Sequence, residues 1–390
     1  MQGIAETVFW AGVALVVYTY VGYPVLVAAL ARLRPVIVSR EPFIGSVSVI
    51  LAARDEERTI AGRVEQFAQM LRAHDRQGEI IVVSDGSTDG TAAQARSGSD
   101  VPVRVIELHE NVGKAAALSV AAEQASGDVL VLADVRQRWA ADALERLLRP
   151  FSDARFGAAS GELVIERDDG VMAGVGMYWK YEKWLRQNEA RLHSTVGVSG
   201  SISAVRRPLF SPIPGGTLLD DVYWPLQVAM QGHRVAFVAD AYAFDRLPSP
   251  RGEFRRKVRT LAGNFQLMAL LPRALLPWAN PISLQFFSHK ILRLFVPWAL
   301  IATLVASVLA EGVVYRTALA MQVLLYSAGA IALFTSWLEK SSLASAAGSF
   351  MLLNAAAWLG FFTWVSGRAT RSWKKVDYEA RRDAPKVGVR

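Results

Sequence analysis

Four long stretches of this chain carry no charged side chain, and they constrain its fold more than any other feature. They lie between Glu6 and Arg32, between Arg293 and Glu311, between Arg316 and Glu339, and between Lys340 and Arg368. A helix needs about 20 apolar residues to cross a hydrocarbon core, so each stretch is long enough to span a bilayer. Hydrophobic residues make up 52% of the 390, little more than in a soluble protein. Their clustering, not their number, sets the class. Between Arg40 and Arg273 the pattern changes to one that is charged, periodic and broken by turns.

The first apolar stretch is too long for the core of a signal peptide, no basic residue precedes it, and no small-residue cleavage site ends it. A membrane anchor fits better. Tyr18, Tyr20 and Tyr23 cluster in its second half, and Arg32 and Arg34 close it. The positive-inside rule then puts the N-terminus outside and the following domain in the cytoplasm. The expected organisation is an N-terminal transmembrane helix and linker over 1–40 and a soluble domain over 41–271. An interfacial helix and about three transmembrane helices follow over 272–367, with a basic tail over 368–390. That makes a multi-pass inner (plasma) membrane protein. Residues 275–288, rich in proline and aromatics, are expected to lie in the interface. The tail, with Arg368, Arg371, Lys374, Lys375, Arg381 and Arg382, prefers the inside, whereas three full crossings would leave it outside.

The absence of cysteine agrees with a reducing compartment. The net charge of +8 is spread over the membrane-proximal segments and the tail, where anionic lipid accounts for it. No aromatic-basic recognition motif accompanies it, so no nucleic-acid partner is expected.

The soluble part reads as alternating strands and helices. Residues 47–52 (VSVILA), 79–84 (EIIVVS), 103–107 and 129–133 (VLVLA) are short apolar runs of strand type. Residues 56–71 and 114–124 have helical spacing, and Ser87 or Thr88 is placed to cap a helix between the second and third strands. The rhythm implies an α/β domain with a mostly parallel, Rossmann-like sheet covered on both faces. Ligands of such sheets sit beyond the carboxyl ends of the strands. There the chain has Ala53-Arg54-Asp55-Glu56-Glu57, Ser84-Asp85-Gly86-Ser87 and Asp134-Val135-Arg136. One acidic cluster serves equally as a helix cap. Three at one edge favour a ligand or a divalent cation bridging a diphosphate. No Gly-x-Gly-x-x-Gly follows the first strand, and Asn111-Val112-Gly113-Lys114 lacks the first glycine and the hydroxyl residue of a P-loop. The five histidines show no metal-ligand spacing.

The order of motifs is more specific than any one of them. Ala53-Arg54-Asp55-Glu56-Glu57, Ser84-Asp85-Gly86-Ser87-Thr88-Asp89, Asn111-Val112-Gly113-Lys114, Asp134, the segment 197–207, Leu218-Leu219-Asp220-Asp221 and Arg256-Lys257-Val258-Arg259 together resemble a membrane-bound family 2 glycosyltransferase of the GT-A fold. That branch includes cellulose, hyaluronan and poly-N-acetylglucosamine synthases and ceramide glucosyltransferase. The resemblance implies an inverting transfer from a nucleotide-sugar donor, usually a UDP-sugar, to a growing polysaccharide. A single transfer to a lipid acceptor is the alternative, and an inactive nucleotide-sugar-binding scaffold a lesser one.

The resemblance also implies roles. Ala53, Arg54 and Glu56 would line the nucleoside and Asp85 would meet the base. Lys114 would reach the nucleotide, with an exposed helix lysine as the alternative. Asp134 would hold Mg²⁺ or Mn²⁺ on the diphosphate. Arg256 and Arg259 would pair with that diphosphate; alternatively they are the basic end of an interfacial helix. Asp221 would be the general base, with Asp220 the competing candidate and helix capping the alternative for both. The expected partners are the donor, a saccharide or lipid acceptor and membrane lipids, with room for a homo-oligomer or a secretion partner. Two departures stand out. Arg136 occupies the second acidic position of the family's Asp-x-Asp motif, and Thr260 the place of a tryptophan that helps hold the acceptor. Trp179, Tyr181, Trp184 and Phe265 are nearby aromatic candidates for stacking on a sugar.

Overall fold

The computed structural model describes residues 1–39, 41–73, 76–97, 100–166, 173–246, 250–334 and 342–368. Its centre is one eight-stranded sheet: β1 (Val47–Ala53), β2 (Gly78–Asp85), β3 (Val103–Leu108), β4 (Val129–Asp134), β5 (Arg138–Trp139), β6 (Phe156–Glu166), β7 (Ile202–Arg206) and β8 (Arg234–Arg246). The order is β3-β2-β1-β4-β7-β6-β8-β5. Strands β3, β2, β1 and β4 are all parallel. Beyond β4 the sheet turns mixed: β7 is antiparallel to both β4 and β6, and β6 and β8 are parallel. The sheet is thus mostly parallel, with the reversal at β7 bringing the 197–201 segment back to the carboxyl end of β4.

Strand β1 shows why the parallel half forms. Its side chains alternate between two covered faces, which is why it reads as a continuous apolar run. Val47, Val49 and Leu51 pack with Ile60, Val64, Phe67 and Leu71 of the Ile60–Ala73 helix. Ile50 packs on the other face with Ala117, Leu118 and Ala121 of the Lys114–Gln124 helix. The first helix starts at Ile60 rather than at 56. Asp55 has φ 51°, a left-handed conformation that an aspartate tolerates but a helix does not. The Glu56 amide donates to Thr91 Oγ1 at 2.8 Å, which holds the segment as a turn. The next helix, Thr91–Ala95, takes its polar partner from Asp89, whose Oδ1 accepts from the Thr91 amide at 3.0 Å; Ser87 and Thr88 do not cap it.

Among the described residues, four helices are long and apolar enough to cross a membrane: Gln2–Leu33, Ser283–Leu309, Val313–Leu333 and Ala346–Val365. Residues 275–288 lead into the second long helix. Asn280 and Ile282 are buried, Trp278 is 83% exposed, and from Ser283 the chain belongs to the second long helix. The tail beyond 368, on which the side of the C-terminus depends, lies outside the described residues.

The long helices are joined to the domain by a shared core rather than by a linker. The apolar cluster on the Ile50 face continues through Phe265, Leu267 and Leu271 to Ile282, Phe286, Ile291 and Leu294. Phe265 stacks on Trp364 at 5.8 Å with the planes 13° apart. It is 3% exposed, so this residue is packing and is not available to a sugar. Two π-helical turns, Tyr18–Gly22 and Phe287–Ile291, interrupt the first and second long helices at the same level, and the Tyr18 and Ser288 hydroxyls are 3.0 Å apart.

Candidate functional site

The site is built where β1, β2 and β4 end and where the 197–201 segment and the Asp220–Met230 helix approach them. Lys114 is its hub. As the first residue of its helix, it donates from Nζ to Asp134 Oδ1 at 2.6 Å and to the Gly200 carbonyl at 3.2 Å, and it lies 3.9 Å from Asp220 Oδ2. It is not an exposed helix lysine. Burial works against its charge, but Asp134 and then Asp220 outweigh burial and hold the ammonium above its ordinary range.

Asp220 and Asp221 are the first two residues of their helix, and Leu219 is the cap. Their carboxylates therefore sit in the first turn, where the helix dipole favours negative charge. Neither is itself the cap. Burial and, next, the neighbouring Asp220 push the Asp221 carboxyl up to about 6, against the opposing pull of Lys114, Lys290 and Arg186. A carboxyl tuned this way exchanges a proton near neutral pH. Gly200 keeps the space between these groups open. A Cβ there would stand 3.2 Å from Lys114 Nζ and 3.8 Å from Asp221 Oδ2.

Asp85 is arranged quite differently. It is 1% exposed, and its carboxylate accepts from the Val112 amide at 2.7 Å, the Gly113 amide at 3.0 Å and Asn111 Nδ2 at 2.7 Å. In this structure it anchors the loop that ends in Lys114. Gly86 makes the anchor possible: its φ is +60°, and a Cβ there would lie 2.5 Å from the Asn111 amide. The first acidic cluster also ties loops together. Asp55 Oδ1 accepts from the Thr88 amide at 2.9 Å and Glu56 Oε2 accepts from Thr59 Oγ1 at 2.6 Å. Ala53 ends β1 buried, and Arg54 lies partly exposed 3.9 Å from Asp55 Oδ2.

The two candidate arginines of the 250–270 helix separate. Arg259 faces the paired acids: burial depresses its pKa, while Asp220 and Asp221 oppose that. Its Nε is buried without a hydrogen-bond partner among the described residues. Arg256 is instead paired with Glu253 of its own helix at 2.8 Å. Arg136 aims its guanidinium at Asp245 of β8, with contacts of 3.2 and 3.0 Å, and Gln137 donates to the same carboxylate at 2.8 Å. A carboxylate on another strand thus shares the charge of the residue that breaks the Asp-x-Asp pattern. Of the aromatic candidates, Trp179 lies 5.6 Å under Lys257 Nζ, Tyr181 donates to the Tyr20 carbonyl at 3.1 Å, and Trp184 is 39% exposed.

A resident divalent cation takes several oxygen ligands. Among the described residues no group of three or more His, Cys, Asp or Glu is arranged to hold one. Asp134 is engaged by Lys114 on one oxygen and by Ser201 Oγ, at 3.3 Å, on the other. The donor set fits a cation that arrives with phosphate ligands of its own, not a preformed metal centre.

Sequence reasoning missed two further cations that act on the acids. Arg186 donates to Ser160 Oγ at 3.1 Å and to the Gly197 carbonyl at 3.3 Å. Lys290 comes from the second long helix. Both act on Asp221, and no motif links three residues so far apart in sequence.

The signature of glycosyl transferase family 2 matches residues 48–213. An N-acetylglucosaminyltransferase of Rhizobium sp. (strain N33) is 26% identical over 251 residues, covering 60% of this chain and 55% of that protein. A poly-beta-1,6-N-acetyl-D-glucosamine synthase of Staphylococcus aureus is 21% identical over 232 residues, covering 57% and 55%. A dodecaprenyl-phosphate galacturonate synthase of Rhizobium johnstonii is 30% identical over 91 residues, covering 23% and 27%. The chain thus spans between about a quarter and about half the length of these curated relatives. A solved mannosyltransferase of Pyrobaculum calidifontis, in complex with GDP-Man and Mn²⁺, superposes with a TM-score of 0.71 over 93% of this chain and 99% of that one at 22% identity. The shared fold runs through the membrane-length helices as well as the sheet.

Proposed function

We propose that the chain moves a sugar from a nucleotide-sugar donor to a membrane-associated acceptor with inversion at the anomeric carbon, a reading supported by the match of residues 48–213 to glycosyl transferase family 2. The observation that carries this reading is the cradle of Asp134, Asp220 and Asp221 around Lys114, next to the unpartnered Nε of Arg259. Carboxylates and cations alternate there, as a departing diphosphate and an attacking hydroxyl require. The donor's diphosphate lies against Lys114 and Arg259, whose fixed positive charges stabilise it as it leaves. Asp134, together with the diphosphate oxygens, would hold Mg²⁺ or Mn²⁺. When bound, that ion would supply charge neutralisation to the leaving group. Support for a cation comes from the Mn²⁺ in the mannosyltransferase complex.

Asp221 is the general base. It takes the acceptor's proton as the hydroxyl oxygen attacks from the face opposite the diphosphate. Asp220 raises its proton affinity and shares Lys114. Asp85 positions the loop bearing Lys114, and Ala53, Arg54 and Glu56 frame the nucleoside beside that loop. We place the catalytic domain on the cytoplasmic side of the inner membrane, with the four long helices crossing it; Arg32 and Arg34 at the end of the first helix support that orientation. Extension of a polysaccharide is the second reading, favoured by the named activity of the Staphylococcus relative.

Purified full-length protein should gain thermal stability with one nucleotide sugar of a panel, because a ligand of the native state raises the melting temperature by mass action. No stabilisation by any donor, with or without Mn²⁺, would contradict the reading. Sizing of radiolabelled product then separates a single transfer from a polymer ladder.

A further inference from the structure

A short strap, residues 213–219, leads into the paired aspartates, and the way it is held decides where they stand. Their helix begins at Asp220 with Leu219 as its cap. A leucine has no side-chain oxygen to meet the first amides, as a serine or an aspartate would, so the start of this helix is fixed from outside. Two other helices do it. At the first end of the strap, the Ile213 amide donates to Ser119 Oγ at 2.9 Å, on the helix that begins with Lys114. At the end next to the aspartates, the Leu218 amide donates to Gln266 Oε1 at 2.9 Å, and Gln266 Nε2 donates to the Gly216 carbonyl at 3.0 Å. These two backbone groups leave the Gln266 amide one orientation, because an N–H needs an acceptor and a carbonyl a donor. Between the two ends, Thr217 Oγ1 closes the turn onto the Pro214 carbonyl at 2.7 Å.

Gln266 belongs to the Pro250–Leu270 helix, which also carries Arg259. Arg259, Gly263 and Gln266 fall at i, i+4 and i+7, on one face of that helix. At Gly263 helix and strap come so close that a Cβ would stand 2.6 Å from Leu219 Cγ and 3.1 Å from Leu218 Cβ. Leu218 also packs with Ala262 and Trp364. One helix face thus presents a cation at one end and grips the approach to the acids at the other.

We propose that Gln266 is a positioning residue for the transfer: it sets the place of the general base relative to the cation that receives the leaving diphosphate. This rests on the sugar-transfer reading and adds to it a residue that acts through Asp220 and Asp221. An inverting displacement needs the base and the leaving group on opposite sides of the anomeric carbon, and an error of about 1 Å in such an arrangement can cost about 10²-fold in rate. Tying the aspartates to the helix of Arg259 removes that error. Donor binding does not depend on the tie, since Lys114 and Arg259 keep their own helices without it.

The test uses full-length protein, in membranes for turnover and in detergent micelles for donor binding by titration calorimetry, with the nucleotide sugar that stabilises it. Gln266→Met keeps the length of the side chain and removes both hydrogen bonds. It should lower kcat by about tenfold or more, with the donor's Kd and thermal shift retained. Gln266→Glu still accepts from the Leu218 amide, and its kcat should fall between those of Gln266→Met and the wild type. Gly263→Ala keeps both hydrogen bonds but drives a methyl group against Leu219, and it should show the same loss of kcat at unchanged Kd. A wild-type kcat in Gln266→Met, a fall in kcat matched by an equal loss of donor affinity, or a Gln266→Glu no better than Gln266→Met overturns the proposal. If Gln266→Met does not fold, Gly263→Ala decides by the same two measurements. Failure of the wild-type protein to bind any donor or to release nucleoside diphosphate would instead reject the sugar-transfer reading.

Discussion

Asp85 and Asp221 are both carboxylates at the ligand end of the same sheet, and the protein treats them in opposite ways. Asp85 receives two backbone amides and an asparagine amide, so its charge is met within the fold. Asp221 is buried and pressed against a second acid, and its proton affinity rises. The first arrangement fixes a loop. The second leaves an unsettled charge, which is what proton transfer needs. The residue type is the same, and the supply of donors around it decides its task.

That contrast is open to attack. Asp221→Asn should lower turnover by about 10²–10⁴-fold, while the melting temperature holds or rises because a buried like-charge contact is removed; comparing kcat with thermal melts checks both. Asp85→Ala should do the reverse. It strands three donors and should cost about 1–3 kcal/mol of stability, read as a lower denaturant midpoint, with donor affinity falling as the Lys114 loop loosens.

Arg259→Ala should weaken donor binding by about tenfold or more, measured by titration calorimetry. Wild-type turnover should rise about tenfold from pH 5 to pH 7, because an acid near 6 becomes a competent base only as it ionises. Asp220→Asn removes the like charge that raises Asp221, so the acid limb of the pH–rate profile should move to lower pH. The smallest effect is expected for Arg256→Ala, within about twofold in donor affinity, since a partly exposed pair inside one helix contributes little.

Much of the frame was legible in the sequence because it depends on local pattern. The buried strands announce themselves as apolar runs, and the charge gaps as membrane-length helices. Lys114, Asp134 and the Asp220-Asp221 pair were legible as candidates because their motifs place them at strand ends and helix starts. What was not legible depends on who meets whom. A carboxylate at the end of β2 does not show in sequence the three donors of the next loop that Asp85 meets. Arg256 and Arg259 read as one cluster, yet three residues along a helix turn one toward Glu253 and the other toward the acids. Phe265 read as an acceptor aromatic, but Trp364, about a hundred positions later, closes over it. Lys290 stood at the edge of an apolar stretch, where a lysine ordinarily reaches for the membrane surface. Only the packing of three distant segments sets it beside Asp221.

The most direct test of the account is the release of nucleoside diphosphate by the full-length protein in membranes, from the nucleotide sugar that stabilises it most, with Asp221→Asn run in parallel. The account predicts release by the wild-type protein, growing as pH rises through about 6, and its near-complete loss in the variant. Equal release by the two proteins, or no release from any donor with or without Mn²⁺, would contradict it.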